Sequence, residues 1–68
     1  MVLHLIGDYI KLGQALKAAN LVESGSEAKE VIQNGEVFVN GEEEVRRGRK
    51  LVPGDIVEYN GETVEIVL

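Results

Sequence analysis

The 68-residue chain has no cysteine and no tryptophan, and only one histidine, one phenylalanine and one proline. Without cysteine there is neither a disulfide framework nor a thiolate metal site, and His4 cannot assemble a zinc cluster alone. This composition suits a reducing cytosol. No apolar run approaches the roughly 20 residues that a bilayer-spanning helix needs, and no basic region precedes a long hydrophobic segment. A soluble, cytoplasmic protein without a membrane partner is expected. Catalysis is not: no nucleophile has an identifiable base partner and no phosphate-binding glycine loop precedes a helix. A single domain over residues 1–68 also leaves little room for an enclosed pocket, so no cofactor, metal or small-molecule substrate is expected. Glu42, Glu43 and Glu44 would point to alternate faces of a strand, which favours a solvated turn over a cation site.

Positive charge is scarce, with seven basic residues against twelve acidic ones and a net charge of −5. Four of the seven are concentrated at Arg46, Arg47, Arg49 and Lys50, leaving three basic and twelve acidic residues elsewhere, or −9. A basic block in an acidic chain can hold a phosphate backbone while the remainder repels RNA arriving in other poses. The alternative is a solvated loop whose arginines pair with the adjacent glutamates.

Periodicity supplies the elements. Val2 to Ile6 reads as a strand, and Leu12, Ala15, Leu16 and Ala19 recur at helical spacing until Asn20. Ser24 is placed to cap a second helix, with Glu27 reaching back in a reciprocal capping box. Ala28, Val31 and Ile32 form that helix's apolar face, and Gly35 stops it. The apolar connection Leu21-Val22 favours packing the two helices across small residues. Val37 and Val39 then read as a strand closing on the hairpin turn Asn40-Gly41. Pro53-Gly54 suits a type II turn, and Asn60-Gly61 a hairpin between Ile56–Tyr59 and 63–67. The fold class is α+β: two packed N-terminal helices followed by a small, mainly antiparallel sheet.

Four stretches of the chain carry a family likeness: Lys11-Leu12; Ser24-Gly25-Ser26-Glu27-Ala28-Lys29; Gly35-Glu36-Val37-Phe38-Val39-Asn40-Gly41; and Pro53-Gly54-Asp55-Ile56. In order and spacing they resemble the S-four RNA-binding domain, or alpha-L motif, over about residues 11–61. The run Arg46-Arg47-Gly48-Arg49-Lys50-Leu51 is similar to the small stand-alone bacterial members. Gly13 stands where the family usually has aspartate, and Gly25 where an arginine often follows the serine. The resemblance implies an RNA-facing surface on the two helices and the following turn, with Lys11, Ser24, Lys29 and Asn40 near it. Arg46, Arg47, Arg49 and Lys50 join them as candidate RNA-binding residues, because guanidinium groups grip phosphate oxygens in pairs or stack on bases. Ser24 is also explained by helix capping, and Asn40 by turn geometry.

The expected function is non-catalytic binding of structured RNA, ribosomal RNA in particular, in ribosome assembly or maintenance, by a monomer. The alternative is a protein-interaction module that keeps the fold with little RNA affinity. Phe38 is expected to pack in the core, a stacking platform for a base being its other reading. Tyr9 and Tyr59 are read as amphipathic packing residues, and His4 as structural.

Overall fold

The computed structural model describes residues 1–68. The elements in chain order are β1 (Val2–His4), β2 (Ile10–Lys11), α1 (Leu12–Ala18), α2 (Gly25–Gln33), β3 (Val37–Val39), β4 (Glu42–Glu43), β5 (Lys50–Leu51), β6 (Ile56–Tyr59) and β7 (Glu62–Val67). Five strands form one sheet in the order β1-β7-β6-β3-β4, and β2 pairs separately with β5. All the pairings are antiparallel except that of β1 with β7. The expected α+β class holds, with the first strand shorter than the alternation suggested. No helix is long and apolar enough to cross a membrane.

The turn residues set this topology. Asn40 and Gly41 have φ of 54° and 84°, and Asn60 and Gly61 have 55° and 80°. Positive φ at both central positions defines the tight hairpin turns that join β3 to β4 and β6 to β7. Helix α2 ends on Gly35, whose φ is 78°. Its amide donates to the Ile32 carbonyl at 3.1 Å, and the Glu36 amide donates to that of Val31 at 3.1 Å. These two bonds satisfy carbonyls that the helix end would otherwise leave open.

One face of the sheet packs on the helices. Leu12, Ala15 and Leu16 from α1 meet Ala28, Val31 and Ile32 from α2, over Val37, Val39, Leu51, Val57 and Ile66. Ala15 and Ala28 supply the small contacts that let the helices approach closely, as the sequence suggested. Tyr59 packs against this cluster as expected, half-buried. Burial pushes its phenol above the ordinary value, and the Glu36 and Glu27 carboxylates add to the shift.

Phe38 departs from expectation. Its neighbours Val37 and Val39 are buried, whereas Phe38 points to the other face of the sheet and is 37% exposed. Strand alternation allows no other outcome once Val37 and Val39 face the helices.

Candidate RNA interface

The loop carrying the arginines is tied to the start of α1. Ile10 and Lys11 pair with Leu51 and Lys50, so the preceding turn hangs beside the helix N-terminus. Lys11 is a poor capping residue, and the loop replaces the missing cap. The Leu12 amide donates to the Arg49 carbonyl at 2.8 Å, and the Gly13 amide to the Arg47 carbonyl at 2.9 Å. Two of the orphan donors of a helix start are thereby satisfied by the basic loop itself.

The loop then divides its cations. A turn closes where the Arg49 amide donates to the Arg46 carbonyl at 3.2 Å. This brings the two ends of the turn, Arg46 and Arg49, together on Glu44. Arg46 Nε and Nη2 donate to Oε2 and Oε1 of Glu44 at 3.0 Å each, and Arg49 Nη1 donates to Oε1 at 3.0 Å. The Arg46 amide adds a bond to Oε2 at 3.0 Å. Glu44 is only 5% exposed, so the expectation of a solvated turn fails at this one glutamate. The hydrogen bond from Arg46 is the largest influence on its carboxyl, which falls to about 2 despite the opposing effect of burial. Arg49 and the Arg46 amide lower it further. The same pairing raises the Arg46 guanidinium above its ordinary value.

Arg47 faces elsewhere. Together with Lys11, Lys17 and Lys29 it lines a depression of about 370 Å³ between the helices and the loop. Gly13, Gly25, Gly48, Gln14 and Ala28 complete the lining. Four of the seven cations in the chain therefore converge here, and no carboxylate lines the depression. At Gly25 an added Cβ would meet no atom within 4 Å, so the floor is open. Lys50 is outside this group: its ammonium sits 4.8 Å from the centroid of the Tyr9 ring, a cation–π contact. It lies directly opposite Lys11 in the β2–β5 pair, where like charges repel, and Tyr9 draws it aside. Tyr9 is exposed and lies outside the core cluster, so it serves as a partner for a cation where a packing residue was expected.

Ser24 caps α2 as read from the sequence, its Oγ accepting from the Glu27 amide at 3.1 Å. The reciprocal half differs, because Glu27 Oε1 accepts from the amide of Glu23 at 2.7 Å rather than that of Ser24. Asn40 is occupied within the fold. Its Nδ2 donates to Asp55 Oδ1 at 3.0 Å and its Oδ1 accepts from the Ile56 amide at 2.9 Å. His4 Nδ1 lies 3.1 Å from the Leu68 carbonyl oxygen, consistent with the structural role expected of it.

Lys17 was missed from the sequence. Its signal was positional: Gly13, Gln14 and Lys17 form the polar stripe of α1 opposite Leu12, Ala15 and Leu16. The corresponding stripe of α2 starts at Gly25 and carries Lys29. Helix packing sets the two stripes side by side.

Paired helices against a mostly antiparallel sheet, with a cationic cleft along the first helix, the start of the second and the basic loop, define a small α+β binding domain. The S4 domain family matches residues 3–67, and the chain belongs to that family. It is 50% identical over 54 residues to the probable ribosome maturation protein RlbA of Bacillus subtilis (strain 168), covering 79% of this chain and 76% of that one. It is 37% identical over 59 residues to the putative RNA-binding protein YbcJ of Escherichia coli (strain K12), covering 87% of this chain and 84% of that one.

Proposed function

We propose that this protein is a non-catalytic, cytoplasmic binder of structured RNA, acting on ribosomal RNA during ribosome maturation. The observation that carries the reading is the carboxylate-free cleft lined by Lys11, Lys17, Lys29 and Arg47. Flexible ammonium groups and one guanidinium around an open floor suit a phosphate backbone, which dominates affinity for RNA. The names of the two relatives point the same way, towards ribosome maturation for one and RNA binding for the other.

Within this reading the four cleft cations contact phosphates. Arg46, whose side chain is 73% exposed, retains donors for a further contact beside the cleft. Arg49 acts by holding the loop through Glu44, and Lys50 reaches RNA beside Tyr9. Ser24 and Asn40 shape the surface through the helix start and the turn. The protein works as a monomer.

Crosslinking and sequencing of bound RNA in the native cells tests the assignment, comparing wild type with K29A/R47A. Enrichment at a defined ribosomal RNA site, lost in the variant, is the expected result. In vitro, the four cleft contacts alone give a slope of log affinity against log salt of about −3 to −4, which contacts at Arg46 and Lys50 steepen. A flat salt response would contradict the electrostatic mechanism.

A further inference from the structure

The five-stranded sheet is covered by helices on one face only. Its strands contain five glutamates and no lysine or arginine. On the uncovered face the pairing register arranges two adjacent rows. One runs Glu43, Phe38, Glu58, Thr63, and the other runs Ile56, Glu65, Val2. Phe38, Ile56 and Val2 are 37%, 44% and 55% exposed, and Glu43 and Glu58 lie directly opposite Phe38 on its two sides. Phe38 and Ile56 are diagonal neighbours across β3 and β6, within reach of each other.

Single exposed apolar residues are ordinary. Here Phe38 and Ile56 adjoin, Val2 lies beyond Ile56 across Glu65, and each is set against glutamates that make no ion pair. Both ion pairs of the chain belong to Glu44, on the loop beside the helices. The face therefore offers buried-area gain at three apolar side chains together with uncompensated negative charge around them.

We infer that this outer sheet face is a second interaction surface, docking a lysine- or arginine-rich protein segment with apolar side chains between its cations. Charge complementarity selects that occupant. RNA is repelled by the glutamates, and a second copy would bring the same glutamates face to face. A cationic segment neutralises Glu58 and Glu65 while its apolar residues cover Phe38, Ile56 and Val2. The cationic cleft lies on the helix side, so both surfaces can be occupied together. The inference stands independently of what the cleft binds.

The test uses the full ¹⁵N-labelled chain titrated with a synthetic peptide of about nine residues in which lysine alternates with valine. Saturable amide shifts confined to Val2, Phe38, Ile56, Glu58 and Glu65 are expected. F38S/I56S, both exposed positions, should weaken binding about tenfold while leaving the amide shifts of Leu12 and Ile32 in place. Should that variant lose its fold, E58Q/E65Q provides the same test through charge. A peptide alternating lysine with serine should bind at least about tenfold more weakly. Equal binding of the serine peptide, shifts centred on Glu23, Glu27 and Glu30 of the second helix region, or no saturable binding would each overturn the inference.

Discussion

The Gly13 amide donates to the carbonyl of Arg47 at 2.9 Å, so the second residue of the first helix also seats the one loop arginine that faces the cleft. Arg47 is thereby fixed at its backbone while its side chain stays free. Arg46 has the reverse condition, with a guanidinium bound to Glu44. The two adjacent arginines should therefore respond differently to truncation.

R47A is expected to weaken RNA binding about tenfold and to make the salt slope shallower by about 1, without loss of stability. R46A should lower affinity less and lower the melting temperature slightly, through a lost charge-assisted bond to Glu44. Filter binding at several salt concentrations, alongside thermal melts, separates the two. Equal loss of affinity in both variants would contradict the division of the loop.

Gly25 opens the second helix at the cleft, and a side chain there meets nothing within 4 Å. G25R should therefore be accommodated without disturbing the fold. It adds a cation next to Lys29, so affinity for RNA is expected to rise severalfold and the salt slope to steepen by about 1. Unchanged affinity in a folded variant would show that RNA does not pass over this turn.

Long-period patterns carried most of the fold. The helix faces of Leu12–Ala19 and Ala28–Ile32, and the turns at Asn40-Gly41 and Asn60-Gly61, were readable because spacing and turn chemistry agree at each. The β2–β5 pair was not, since two-residue strands show no alternation. With that pair hidden, Arg46 to Lys50 read as a single basic patch rather than residues turned three ways. Lys17 was hidden by the opposite circumstance: an isolated cation becomes part of a cluster only when two helices pack. Phe38 misled through residue type, because an aromatic in a strand suggests core while its position between Val37 and Val39 dictates the outer face.

Glu44 makes the stability of the fold dependent on acidity. Its carboxyl titrates at about 2 in the folded protein against an ordinary 4.5. A folded value below the unfolded one contributes stability that is complete above about pH 4.5 and is lost as pH falls towards 2. The urea midpoint of the wild type should fall across this window more than that of E44Q, which lacks the titrating group. At pH 7 E44A is expected to cost about 2 kcal/mol, because the bonds from Arg46 and Arg49 lose their acceptor. A wild-type and E44Q difference that stays constant from pH 6 to pH 2 would refute the linkage.

Asn40 tests whether a candidate RNA residue serves the fold instead. Its φ of 54° is costly for most side chains, and its amide bridges Asp55 and the Ile56 backbone. N40A loses both the bonds and the tolerance for that conformation, for an expected cost of about 2–3 kcal/mol. N40G loses only the bonds and should recover about 1 kcal/mol of that cost. If the residue acts through the turn, both variants should bind RNA with nearly wild-type affinity once corrected for the folded fraction. Affinity that falls about tenfold in N40G while its melting temperature stays close to wild type would assign Asn40 a direct RNA contact.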